Sequence, residues 1–323
     1  MSGARPGSGG AGGGGAPRAG LLRAGLGGAA LLSAAAGPPA TPAATADARL
    51  RVCVSILPQA YFVKRIGGEH VDVQVLVGPG QSPHTYEASP QQMTWLSKAD
   101  LFVTLGMPLE QRLLERLSGQ RRELRVADAT EGLTFLLAEC EHDHDHADGH
   151  DHGAHERDPH VWLDPQRVKH MAANICRALS DLDPPRRAVY EANLALFRAD
   201  LDDVDARLRQ RLAPYRGRAF FVFHAAYGYF AERYGLKQLA VEVAGKEPTP
   251  RELVDLVERV RASGVKAILL EPQYPRTTAE ALAREVGAEV LIVDDLARDY
   301  LANLLDLADK LEHAFGGPAP RGD

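Results

Sequence analysis

The stretch PPRRAVYEANLALFRADLDDVDARLRQRLAP, residues 184–214, decides the fold. Within it Leu194, Phe197, Leu201, Val204, Leu208 and Leu212 form one apolar stripe at helical period. Pro184-Pro185 suits a helix start and Pro214 its stop. A helix from Pro185 to about Leu212 rises ~1.5 Å per residue and reaches about 40 Å. That length makes it a stiff strut between two bodies rather than a loose linker.

On each side of the strut, short apolar runs alternate with helical patterns. The runs Leu50–Leu57, Val71–Val77, Asp100–Leu105 and Leu124–Ala127 precede it. The runs Ala219–Phe223, Gln238–Val241, Ala267–Leu270 and Val290–Val293 follow it. Most are continuously apolar, as parallel strands covered on both faces must be. Helices are predicted over Ala60–Ile66, Pro90–Lys98, Leu109–Leu117 and Pro165–Leu179. A second set is predicted over Ala225–Tyr234, Arg251–Ala262, Thr278–Val286 and Tyr300–Ala314. The alternation predicts an α/β protein of two lobes with mainly parallel sheets. The expected organisation is a leader over 1–48, a first lobe over 49–183, the linking helix over 184–214 and a second lobe over 215–323.

Composition narrows the function. The chain has 323 residues, 45% hydrophobic and 25% charged, ordinary for a globular protein. A net charge of -6 argues against nucleic acid as a partner. Three cysteines are too few for a disulfide framework; Cys53 reads as a buried strand residue, and no lipid-anchor motif surrounds it. Residues 1–48 hold 13 Gly and 15 Ala. Arg5, Arg18 and Arg23 precede a modest apolar run from Leu26 to Ala36, and small residues follow. These are the parts of a secretory signal, so the mature protein is expected to start near Ala46–Arg49, outside the cytoplasm.

Four ligand-type residues fall at strand or helix ends. His84 follows the strand ending at Val77, His160 stands where a helix begins, His224 ends Phe220-Phe-Val-Phe-His224, and Asp294 ends Val290-Leu-Ile-Val-Asp294. In α/β sheets ligands collect beyond the carboxyl ends of strands. A lone histidine there is commonly a hydrogen-bonded structural residue; the shared position of all four carries the inference of a cleft between the lobes. Three imidazoles and a carboxylate suit Zn²⁺. Glu271 reads as a supporting residue, Glu87 as an orienting partner for an imidazole, and Trp95 and Trp162 as packing. Residues 141–156 carry six of the 12 histidines among Asp and Glu, a tract suited to taking up Zn²⁺ in many arrangements.

Pro83-His84-Thr-Tyr86-Glu87, Asp158-Pro-His160-Val-Trp-Leu-Asp164-Pro and Phe223-His224-Ala-Ala-Tyr227-Gly-Tyr-Phe230 carry a resemblance. Glu247-Pro-Thr-Pro250 and Glu271-Pro-Gln273 add to it. With these the chain resembles the metal-binding solute receptors of ABC transporters, the zinc/manganese family, over roughly residues 50–313. The resemblance implies two lobes, each with a four-stranded sheet, a rigid connecting helix and a metal between the lobes. It implies His84, His160, His224 and Asp294 as ligands. In some zinc members water or another carboxylate fills the fourth position, and Asp294-Asp295-Leu296 replaces the more usual Asp-Pro-Leu. Ala88 and Gln92 are further departures. The expected function is that of an exported, periplasmic receptor, not an enzyme. Acting as a monomer, it delivers Zn²⁺ to an ABC-type permease driven by an ATPase. The alternatives are a manganese receptor of the same family, a zinc hydrolase using the three histidines, and a metal buffer working through the histidine tract.

Overall fold

The computed structural model describes residues 49–118, 124–137, 157–242 and 250–317. The expected leader, the histidine tract, Cys140 and most of Glu247–Pro250 lie outside these residues.

The first lobe runs β1 (Leu50–Val54), α1 (Leu57–Gly67), β2 (Val71–Val75), α2 (Pro90–Leu96), β3 (Leu101–Thr104), α3 (Pro108–Leu117), β4 (Arg125–Asp128) and α4 (Pro165–Leu182). Its four strands lie in the order β2-β1-β3-β4, and every pairing is parallel. The second lobe runs β5 (Ala219–Val222), α6 (Gly228–Tyr234), β6 (Lys237–Ala240), α7 (Pro250–Ser263), β7 (Ala267–Leu270), α8 (Arg276–Val286), β8 (Glu289–Ile292) and α9 (Tyr300–Ala314). Its sheet repeats the pattern as β6-β5-β7-β8, again all parallel. In each sheet the order of strand addition reverses between the two central strands, which opens a crevice at their carboxyl ends.

Between the lobes stands α5 (Arg187–Leu212), 26 residues long, or about 39 Å, with one 3₁₀ turn at each end. Phe197, Leu201, Val204, Leu208 and Leu212 of the expected stripe are buried, and Tyr190 extends it. Each large side chain withdrawn from water there contributes roughly 1.5–3 kcal/mol at most. Asp205 is buried on the same face. It accepts from Arg209 Nε at 3.0 Å, Arg233 Nε at 3.1 Å, Gln166 Nε2 at 3.2 Å and the Tyr234 hydroxyl at 3.2 Å. Burial alone would raise its pKa, but Arg233 and Arg209 hold it below the usual carboxylate range. Helices of both lobes are thereby fastened to the strut.

The first strand ends three residues earlier than the apolar run suggested. Gln59 Oε1 accepts from the main-chain N–H groups of Ser55 at 2.8 Å and Ile56 at 3.1 Å. These donors are therefore diverted from the sheet ladder, and Pro58 fits the first turn of α1. Cys53 is fully buried in β1, and its thiol is pushed up to about 12 by burial. Cys53 and Cys176 are both free. No helix among the described residues is long and apolar enough to cross a membrane.

Candidate metal centre

His224 stands two residues beyond the end of β5, at the crevice of the second sheet. Its main-chain N–H donates to Glu271 Oε2 at 3.1 Å, and Glu271 follows β7, the neighbouring central strand. Its Nδ1 is held by Glu242 Oε1 in a short contact. Glu242 stands just past β6, and its N–H bonds to Phe223 O at 3.0 Å. The two sides of β5 thus fix both the backbone and the ring of His224.

His160 comes from the segment leading into α4. Asp158 Oδ1 accepts from its main-chain N–H at 2.9 Å and lies 2.7 Å from its Nδ1. The carbonyl of Asp158 accepts from the Tyr229 hydroxyl at 2.7 Å. Gly228 eases this approach: a Cβ there would lie 3.1 Å from Asp158 Oδ2, so a side chain would make the carboxylate give way by a few tenths of an ångström.

His84 lies on the loop between β2 and α2. Gln92 ties that loop down, donating to Leu76 O at 2.8 Å and accepting from the Tyr86 hydroxyl at 2.6 Å and Ser89 N at 3.0 Å. A residue conspicuous in the sequence as a departure therefore anchors a candidate ligand. His84 keeps an exposed face, whereas His160 and His224 are buried.

The three rings converge through Nε2. His224 Nε2 lies 3.2 Å from His84 Nε2 and 3.2 Å from His160 Nε2, and the three donor atoms lie within 4.8 Å of one another. Tetrahedral Zn²⁺ with Zn–N bonds of ~2.0–2.1 Å spaces its nitrogens about 3.3–3.4 Å apart. The carboxylates set the tautomers: with Nδ1–H donated to Asp158 and Glu242, the Nε2 atoms of His160 and His224 present lone pairs. Facing lone pairs repel, and a shared cation removes the repulsion.

The titration behaviour follows from the same contacts. Burial, then the nearby His160 and His224, bring His84 down to about 3. Burial also opposes charge on His160, but the hydrogen bond and field of Asp158, with the fields of Asp295 and Glu242, carry it above its ordinary value. Glu271 is wholly buried and raised well above the usual carboxylate range by burial and by Asp295.

Asp294 does not join the three imidazoles. Its Oδ1 accepts from Leu296 N at 2.9 Å and its carbonyl from Asn303 Nδ2 of α9 at 2.7 Å. Glu87 is exposed, and the orienting carboxylates are Asp158 and Glu242. Asp158 had a local signal, an acid two residues before a histidine. Glu242 had none, because only the pairing of β6 with β5 brings it to His224. Trp162 is fully buried as expected, and its Nε1 also donates to Asp295 O at 2.8 Å.

Comparison with known proteins agrees with this architecture. Zinc-binding lipoprotein AdcA of Streptococcus pneumoniae (strain ATCC BAA-255 / R6) is 30% identical over 256 residues, covering 78% of this chain and 51% of AdcA. The high-affinity zinc uptake system protein ZnuA of Bacillus subtilis (strain 168) is 32% identical over 254 residues, covering 77% of this chain and 79% of that protein. A crystal structure of ZnuA superposes with a TM-score of 0.76 at 39% identity, covering 82% of this chain and 99% of the other. The chain spans about half the length of the AdcA proteins it matches. Residues 52–314 match the family ZnuA, zinc-uptake complex component A periplasmic. A match over that span, together with the two-lobed fold, places the chain in this family of metal-binding solute receptors.

Proposed function

We propose that this protein is the exported receptor of a zinc-uptake system, capturing Zn²⁺ between its lobes and passing it to an ABC-type permease with its ATPase. The observation that carries the reading is the convergence of three Nε2 atoms, two of them on rings whose Nδ1 is held by a buried carboxylate. His84, His160 and His224 are the ligands in this reading, and Zn²⁺ is cargo returned unchanged, so the protein is a receptor and not an enzyme. All three donors are nitrogens, which favours Zn²⁺ over the oxygen-preferring Mn²⁺. The names of the curated relatives support zinc, and the family description supports a periplasmic location.

The expected organisation enters the same reading: a cleaved leader over 1–48, lobes over 49–183 and 215–323, and a strut over 184–214, acting as a monomer. The lobes are stitched across the cleft. Trp162 donates to Asp295 O, the Tyr300 hydroxyl donates to Trp162 O at 2.7 Å, and the Tyr229 hydroxyl to Asp158 O. Release therefore works through local shifts of the ligand-bearing segments, the His84 loop first, rather than through a wide hinge.

Metal analysis of protein purified without chelator, for wild type and His160→Ala, tests the proposal. It expects zinc in the wild type and about one equivalent less in the variant, the histidine tract being common to both. Equal zinc in the two proteins would refute it.

A further inference from the structure

Asp294 and Asp295 are neighbours in sequence with different surroundings. Asp294 is turned to α9: its carbonyl takes the Asn303 side chain, its carboxylate takes Leu296 N, and Lys310 of α9 acts on it. Asp295 is only 3% exposed. Its Oδ1 accepts from Gln273 Nε2 at 2.7 Å, and Gln273 lies two residues after Glu271. Its carbonyl accepts from Trp162 Nε1, and the Trp162 ring centroid lies 5.1 Å from that of His160. The Asp295 carboxylate also acts on Tyr274, whose ring centroid is 5.2 Å from that of His224. Asp295 is thus bonded through its main chain to the residue beside His160, and its charge acts on His160 itself and on the residue beside His224.

We infer that Asp295, and not Asp294, is the carboxylate whose charge sets how strongly the three-imidazole centre holds a dication. The inference rests on the proposed reading of that centre. The donor atoms that lie within 4.8 Å of one another are the three imidazole nitrogens alone, so Asp295 acts through space and not as a ligand. Little water separates a buried carboxylate from a buried cation, so its attraction is weakly screened, and a dication feels it twice over relative to a single charge. Through-space attraction depends on the cation's charge and not on its donor preference. Asp295 therefore strengthens binding of all dications alike, while the imidazoles choose among them.

Asp295→Asn is a fair probe. It keeps an oxygen for Gln273, leaves the main-chain bond to Trp162 in place, and removes only the charge. Competition titrations of the full chain with Zn²⁺ and Co²⁺ should be run on wild type, Asp295→Asn, Asp294→Asn and His160→Ala. The last defines which part of the titration belongs to the cleft. Asp295→Asn is expected to weaken cleft binding of both metals by a similar factor, roughly ten- to hundredfold, with the visible spectrum of cleft-bound Co²⁺ unchanged in shape. Asp294→Asn is expected to cost less than about threefold, because its carboxylate is committed to Leu296 N and the charge of Lys310 already acts on it. Unchanged affinity in Asp295→Asn, an equal or larger loss in Asp294→Asn, or a Co²⁺ spectrum that changes shape in Asp295→Asn would overturn the inference while leaving the functional reading standing. If His160→Ala titrates like wild type, the functional reading fails and this inference fails with it.

Discussion

Asp158 Oδ1 grips His160 twice, at the main-chain N–H and at Nδ1 2.7 Å away, so one carboxylate oxygen fixes both the backbone and the ring of a candidate ligand. Removing such a partner typically costs ten- to a hundredfold in metal affinity. Asp158→Ala should weaken cleft zinc binding by about that factor. The check is a chelator-competition titration, with His160→Ala marking the floor; a loss under about twofold would mean that the ring is held by other contacts.

The approach of Gly228 to the same carboxylate gives a steric test. A Cβ at this position would sit 3.1 Å from Asp158 Oδ2, so Gly228→Ala must displace either the start of α6 or Asp158. The expected outcome is a loss of zinc affinity with helix content retained, read by titration and circular dichroism on one sample. Wild-type affinity in this variant would show that the Asp158 carboxylate moves without carrying His160 with it.

Acid should act on His160 rather than on His84. Its folded pKa lies above the ordinary histidine value of about 6.5, whereas His84 lies near 3 and is already neutral. In the metal-free protein a raised pKa contributes stability below about 6.5 that is lost as pH rises through the folded value. Zinc requires the deprotonated ring, so its stabilisation runs the opposite way and grows as pH rises through that value. The increase in Tm on adding Zn²⁺ should be larger at pH 8 than at pH 6. An equal increase at both would contradict ligation by His160.

Much of the fold was legible because parallel strands buried on both faces leave continuous apolar runs. The six-residue stripe from Leu194 to Leu212 likewise admits one helical face. The three histidines were legible because His160 and His224 stand near the ends of elements and His84 on the loop that follows β2. The early end of β1 was not, since it depends on the Gln59 side chain taking two main-chain donors. Glu242 was hidden because its role exists only after β6 pairs with β5. The choice between Asp294 and Asp295 was hidden for a different reason. Both lie beyond the end of β8, where strand alternation no longer says which carboxylate is turned inward. Glu110 went unread for the same lack of local signal. It is buried at the start of α3, accepts from Leu105 N and Met107 N at 2.9 Å each, and has its carboxyl raised to about 7 mainly by burial.

The exposed ligand should govern exchange. His84 comes from a loop and keeps an exposed face, while His160 and His224 are buried and braced. His84→Ala should leave the Tm of the metal-free protein within a few degrees of wild type and speed zinc dissociation. His160→Ala should lower both affinity and metal-free stability, because it leaves the buried Asp158 carboxylate with its main-chain bond but without its imidazole partner. Stopped-flow dissociation into a chelator, with thermal melts of the apo-proteins, separates the two. A His84 variant that releases zinc at the wild-type rate would place the exchange route elsewhere.

Anomalous diffraction at the zinc absorption edge, from crystals grown with one equivalent of Zn²⁺, tests the central claim most directly. The account predicts one strong peak between the rings, about 2.0–2.1 Å from Nε2 of each of His84, His160 and His224. A cleft without such a peak, with zinc held only elsewhere on the protein, would contradict it.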